Sequence, residues 1–346
     1  MRIGWATMGD LLPDPVTGIL LTPAERHRMV VEAAPRAEEA GFVSASVGEH
    51  HFCSYIISSP PVLLAAMAER TSTLRLGTAV ALGANNDPIR LAEEYATLDL
   101  LSGGRVDLVL GRGNLYEHTF HAFGQDPACS RSMYEENVGL VVEALHHEQI
   151  TWIGEHRAPF ANMTTQPRPV QSPFPVWIGG GSSMESVEFA AEMGLPLMLP
   201  GVFGRPSMFT PLAERYREIW AEKGRPPERC RVGAIAHTNV AATSQAARAA
   251  MEPRMTVYFD WLIDHIALST PSLSDFIRPF DFDRFTTAGP TVCGSPQQVI
   301  ERMEEWRDAA GLTDYLFMCD QGGMPPDDLF AMIDFAGETI LPHFHA

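Results

Sequence analysis

Lysine is almost absent from this chain. Lys223 is the only one in 346 residues, so chemistry through a lysine Schiff base has a single, poorly placed candidate. Basic residues are few overall: 25 Lys and Arg against 43 Asp and Glu give a formal charge of −18. That balance argues against non-specific binding to nucleic acid or to an anionic membrane, and it favours solubility. Cysteine is sparse as well. Cys53, Cys129, Cys230, Cys293 and Cys319 are odd in number, scattered and never spaced C-x-x-C, which argues against structural zinc and suits a reducing cytoplasm. No apolar run reaches the roughly 18 residues of a membrane span. The first residues, Met-Arg-Ile-Gly-Trp-Ala-Thr-Met, read as a strand and not as a signal peptide. The chain also lacks a repeat of roughly 20–50 residues, a G-x-G-x-x-G or Walker loop, and the G-x-S-x-G of a hydrolase elbow.

What is present is an alternation of strands and helices. Residues 2–8 predict a strand. Thr22-Pro23-Ala24-Glu25 has the form of a capping box opening a helix that runs to Ala40 and ends at Gly41, with Pro35 expected to kink it. Strands follow at 42–47, 74–82 and 105–110, separated by helices at 61–71 and 89–101. After a loop at 114–130 come a helix at 131–147 and a Pro-rich excursion at 149–175. Further strands at 176–178, 195–199, 232–240 and 315–319 alternate with helices ending at 193, 222, 263, 310 and 340. Residues 264–292 read as irregular. Eight strands in this order predict an α/β fold, a (β/α)8 TIM barrel forming one domain over 1–346, with rim insertions at about 149–175 and 264–292.

Three stretches fall at the C-terminal ends of predicted strands, the functional face of such a barrel. In Arg105–Gly113, alternating apolar residues lead into Gly111-Arg112-Gly113, where glycines admit a close ligand and a guanidinium suits a phosphate. A strand-ending turn with a salt-bridged arginine explains the stretch equally well. Glu49-His50-His51-Phe52 offers an acid or base near neutral pH, with Glu49 orienting an imidazole or holding its charge. Adjacent residues on extended chain point to opposite faces, so one histidine faces the site. Neither His-x-x-x-His nor Glu-x-x-His spacing surrounds it, and no metal is expected. Gly179-Gly180-Gly181-Ser182-Ser183 follows a strand and opens a helix, a place for a phosphate monoester or simply a capped glycine turn. His118, His121, His146, His147, His343 and His345 read as solvated or helix-terminal.

These pieces, taken in order, resemble the bacterial luciferase-like, flavin-dependent monooxygenases, and most specifically the luciferase catalytic subunit. The matching runs are Glu49 to Phe52, Thr73 to Ala79, Pro88 to Glu94, Leu101 to Arg105, Arg112-Gly113, Phe120 to Asp126, Gly194 to Pro196 and Gly294 to Pro296. They cover nearly the whole chain. The resemblance implies a barrel that binds FMN, delivered reduced by a separate flavin reductase. Dioxygen then forms a C4a-(hydro)peroxide that oxygenates a small to medium apolar organic substrate: an aldehyde, a ketone or a specialised metabolite. It places Arg112, Ser183 and Ser186 at the FMN phosphate, with Ser182 where luciferases carry a glutamate. It makes Ala79-Val80 the family's cis peptide beneath the flavin ring and His50 the catalytic histidine, with Glu49 beside it. Gly111 replaces the luciferases' reactive cysteine, enlarging the pocket, and Thr119 replaces an acidic residue. A homodimer through the early βα helices is also implied. Two alternatives stand beside this reading: an F420-dependent hydride-transfer enzyme on the same barrel, and a non-catalytic flavin-binding luciferase relative.

Overall fold

A computed structural model describes every residue of the chain except 114, 182, 270, 279 and 346. The first half follows its local signals closely. Strand β1 is Arg2–Thr7, and helix α1 is Pro23–Ala40. Thr22 and Glu25 exchange hydrogen bonds as a capping box, and Gly41 closes the helix at φ +96°. Pro35 lies inside α1 and the helix runs on through it. Then come β2 (Ser44–Val47), α2 (Pro60–Ala68), β3 (Arg75–Thr78), β4 (Ala81–Leu82), α3 (Pro88–Ser102) and β5 (Val106–Gly111). The expected loop at 114–130 contains a short helix, α4 (Glu117–Ala122), before α5 (Ser130–His146).

In the second half, β6 (Gln149–Trp152) and β7 (Phe160–Thr164) pair as an antiparallel hairpin outside the main sheet. The chain resumes with β8 (Val176–Gly179), α6 (Met184–Met193), β9 (Leu197–Leu199), α7 (Pro206–Glu222), β10 (Val232–Val240) and α8 (Ser244–Ala267). Residues 264–292 are more regular than the sequence suggests: α8 extends to Ala267, and α9 (Pro271–Ile277) and α10 (Phe282–Thr287) follow. Their apolar residues pack against α8, including Phe280 stacked on Phe259 at 4.5 Å, so tertiary contacts supply order that local pattern does not. The chain ends with β11 (Val292–Gly294), α11 (Pro296–Ala310), β12 (Asp314–Met318), α12 (Pro326–Thr339) and α13 (Leu341–His345).

Parallel pairing runs β1-β2-β3-β5-β8-β9-β10-β12 and returns to β1, closing an eight-stranded (β/α)8 TIM barrel. The main apolar core lies between barrel and helices, and a smaller cluster around Val109, Trp177, Ile235 and Leu316 fills the barrel. A third cluster, built on α8 with Tyr55, Tyr116, Phe282 and Phe285, caps the C-terminal mouth. Among the described residues no helix is long and apolar enough to cross a membrane.

The third strand is not continuous as expected. The Ala79–Val80 peptide is cis, and the ladder breaks there into β3 and β4. Thr78 fills the gap: its hydroxyl donates to the Val109 carbonyl (2.7 Å) and accepts from the Val109 amide (2.9 Å).

Where β1, α1 and β12 meet, a buried charge cluster ties the mouth together. Arg26 pairs with Asp320 (2.7 Å) and donates to the Asp10 carbonyl (2.9 Å), while Thr7 donates to Asp320 (2.5 Å). Asp10 accepts from the amides of Gly322 and Gly323. Burial raises the Asp10 carboxyl most, Arg26 pulls it back, and Asp320 adds to the rise, leaving it at about 6. Replacing Arg26 with Leu strands two buried carboxylates. The expected cost is about 3–5 kcal/mol, read as a lower urea midpoint; an unchanged midpoint contradicts a structural role for the pair.

Candidate active site

Ends of the barrel strands enclose a cavity of about 580 Å³ whose outer wall is the aromatic cap. The strands deliver Glu49, His50, Val80, Gly111, Arg112 and Gly179 to its lower half, while Tyr55, Tyr116, Tyr258 and Leu262 line the upper half.

Glu49 leaves β2 almost fully buried, at 5% exposure. It is a carboxylate with every oxygen engaged. It accepts from the Leu82 amide (2.8 Å), from the Asn86 side chain (3.0 and 3.2 Å) and from His51 Nε2 (2.9 Å). Its partner histidine is therefore His51. His51 and His50 both line the cavity, because the chain has already left β2, and the expectation that one histidine faces the site is corrected; His50 turns to the aromatic cap. Its ring lies 4.1 Å from that of Tyr55 and 5.9 Å from that of Tyr116, and its Nδ1 is buried with no hydrogen-bond partner. Burial, with smaller contributions from His51 and His265, pushes the His50 imidazole down to about 3. At neutral pH it is uncharged, able to exchange hydrogen bonds but not to serve as a cation.

Ala79 and Val80 lie on the cavity floor. A Cβ at Gly111 or at Gly179 would run into the Val80 side chain. The expectation that Gly111 enlarges the pocket is therefore corrected: the space is filled by Val80. Arg112 follows, half-buried and lining the cavity, with no carboxylate paired to it among the described residues. Burial lowers its pKa, and nearby Arg131 adds to the effect. Gly113 sits at φ +77°, where Asn85 and Leu82 crowd any added Cβ, so glycine is required.

Across from Arg112, Gly179 to Gly181 also line the cavity. The Gly180 amide donates to the Met198 carbonyl (3.0 Å) and the Gly181 amide to Ser186 Oγ (2.9 Å). Ser186 in turn donates to the Ser183 carbonyl (2.8 Å), so its hydroxyl braces the turn from within. Ser183 takes the N-cap position of α6 in extended conformation, and its hydroxyl near the Glu185 carboxylate holds that carboxyl below its usual range. Ser182 lies outside the described residues. The donors left over are the first-turn amides of α6.

Several cavity and cap residues carry no sequence signal. Tyr55, Tyr116 and Tyr258 are separated by up to 203 residues, yet Tyr55 and Tyr258 share a 2.6 Å hydroxyl contact. His118 is not solvated: it bonds Ser269 (3.1 Å), stands 5.4 Å from His265, and keeps its Nε2 buried and unpartnered. Arg131, a second cation near Arg112, falls on α5 with nothing local to distinguish it.

The sequence profile of the luciferase-like monooxygenases matches residues 1–313. The oxygenase component of flavin-dependent trigonelline monooxygenase from Acinetobacter baylyi is 26% identical, covering 87% of this chain and 85% of that one. The protein y4wF of Sinorhizobium fredii, of no described role, is 36% identical over 163 residues, and there the chain spans about half of the relative's length. Among solved structures, monooxygenase RslO1 of Streptomyces bottropensis superposes with TM-score 0.84 at 25% identity, covering 99% of this chain and 100% of that one. An F420-dependent secondary alcohol dehydrogenase shares the fold at TM-score 0.76 and 17% identity, with 98% of each chain covered. The chain belongs to the luciferase-like monooxygenases and is a flavin-dependent monooxygenase.

Proposed function

We propose that this protein is the oxygenase of a two-component system. It takes reduced FMN from a separate flavin reductase and inserts one atom of dioxygen into a small to medium apolar organic molecule. One observation carries the reading. The cavity is lined at one end by Arg112, which has no carboxylate partner among the described residues, and by the glycine turn that leads into α6, and at the other by an uncharged imidazole under an aromatic cap.

The residues present fit an FMN. Arg112 and Ser183 would hold its phosphate with the first-turn amides of α6. Ser186 keeps the turn in shape, and Ser182 adjoins it in sequence. Val80, wedged between Gly111 and Gly179, presents an apolar floor for a flat ring. Bound reduced flavin would supply the oxygen activation at its C4a carbon, chemistry that belongs to the cofactor. The protein's part is to keep the site dry and positioned. The aromatic cap excludes water. His50, neutral and without a partner at Nδ1, is placed to orient a reacting group through a hydrogen bond at the cavity wall, and Glu49 fixes the backbone that carries it. The Arg112 and Ser183 arrangement with Glu49-His50-His51 supports FMN ahead of F420. We also propose a cytoplasmic homodimer joined through α2 and α3, whose Val62, Leu100 and Leu101 are exposed.

Anaerobic titration with reduced FMN and reduced F420 tests the cofactor directly. Tight FMN binding, followed by an oxygenated flavin spectrum on admitting air, is the expected result; tight F420 binding without it overturns the proposal. Arg112→Ala should weaken reduced FMN by about 10- to 100-fold, and unchanged affinity would refute the phosphate assignment. His50→Ala should cut single-turnover oxygenation while reduced FMN affinity holds.

The depressed His50 pKa also has a stability consequence. The fold favours the neutral ring, so its contribution is complete above the free value of 6.5 and is lost as pH falls toward about 3. His50→Gln should therefore lose less thermal stability than wild type across that interval. Parallel Tm-against-pH curves for the two proteins would count against the buried, neutral state.

A further inference from the structure

The phosphate-binding end and His50 leave the upper half of the cavity unexplained. Three phenols converge there: Tyr55, Tyr116 and Tyr258, each 3–5% exposed and each lining the cavity. Tyr55 and Tyr258 share a hydroxyl contact of 2.6 Å. Tyr116 brings its hydroxyl toward that of Tyr55 but makes no hydrogen bond of ordinary geometry. The proton count is decisive. Three hydroxyls in an open chain carry three protons and can use at most two among themselves. Among the described residues no carbonyl or carboxylate accepts from them. At least one O–H therefore remains to be donated, in a wall where an unmet donor costs about 1–3 kcal/mol.

We propose that Tyr55, Tyr116 and Tyr258 form a subsite that receives the carbonyl oxygen of a neutral, flat aromatic ketone. The proposal rests on the oxygenase reading above and names its substrate class.

The surroundings select that class. A carbonyl oxygen only accepts, which matches a cluster with a surplus donor. Burial pushes all three phenols above their usual range, so they stay protonated. An anionic substrate finds no counter-ion: Arg112, at the far end of β5, is the cation lining this cavity, and the nearby Arg26 is already shared by Asp10 and Asp320. A cationic substrate fares no better, because Glu49 is saturated by Leu82, Asn86 and His51. Aromatic walls favour a flat ring. Tyr55 lies 4.1 Å from His50 and meets Trp261 edge-on at 4.8 Å, with Tyr116 beside it.

The test uses the intact chain and three probes: 1-tetralone, tetralin, which lacks the carbonyl, and 1-naphthoate, which is charged. Binding is followed by quenching of tryptophan fluorescence without flavin. Wild type should bind the ketone about tenfold more tightly than the hydrocarbon, and 1-naphthoate most weakly. Tyr116→Phe and Tyr55→Phe should bring the ketone-to-hydrocarbon ratio close to one while leaving tetralin affinity unchanged. Tyr116→Phe removes a hydroxyl with no native partner, so it should fold normally. A wild-type ratio near one, absent 1-tetralone binding, a ratio that survives both substitutions, or tighter 1-naphthoate binding each overturns the subsite. Reduced FMN titration reads the parent proposal separately. A protein that keeps the ketone preference but binds no reduced flavin supports the subsite and rejects the oxygenase reading.

Discussion

Everything at the mouth of this barrel depends on one buried carboxylate. Glu49 leaves β2 and is gripped by the Leu82 amide, the Asn86 amide group and His51. Those contacts join the end of β2 to the segment beyond the break between β3 and β4. The Glu49 amide also donates to the Val80 carbonyl (2.9 Å), which ties Val80 to the floor, and the carboxylate holds His51 at the cavity wall beside His50. A carboxylate so enclosed would be costly without partners, and here its hydrogen bonds meet that cost. Glu49 thus positions the end of β2, from which both histidines reach the cavity wall.

The cavity is divided by what each end can stabilise. Toward α6, a guanidinium with no carboxylate partner among the described residues and the turn into a helix N-terminus favour an anion in a protein that is otherwise strongly acidic. Toward α8, the wall is apolar and aromatic, and its core cluster is separate from the one that holds barrel and helices together. A cap with its own small core can rearrange without disturbing the barrel. The two ends suit a ligand that is charged at one extremity and flat and apolar at the other.

Much of the scaffold was legible in the sequence because its signals are local. The capping box at Thr22 and Glu25, the closing Gly41 and the alternating apolar residues of β5 depend on neighbours a few positions away. The barrel followed from counting such units. The site was legible in part: Arg112, His50 and the glycine turn lie at strand ends, where the fold puts function. What the sequence could not disclose are partnerships. Glu49 stands next to His50 but bonds His51, two residues on and beyond the end of β2. Ser186 looked like a phosphate ligand, yet its hydroxyl is spent inside its own turn. The three tyrosines come from a loop after β2, a loop after β5 and the middle of α8, so only the closed fold brings them together. The helices of 264–292 were missed for a related reason, since their order comes from packing on α8.

Val80 shows how tightly the floor is specified. Its two methyl groups lie where Cβ atoms at Gly111 and Gly179 would stand, so the two glycines and the valine form one packing unit across three strand ends. A side chain at position 111, the cysteine of luciferases included, cannot be introduced alone: the valine must shrink or the strands must part. The apolar floor therefore lies at the break between β3 and β4 and not on β5. A flat ring resting there would meet Ala79 and Val80, with Arg112 and His50 also on the cavity wall. The same three residues thus fix both the level of the floor and the direction in which the cavity opens, toward the tyrosines of the cap.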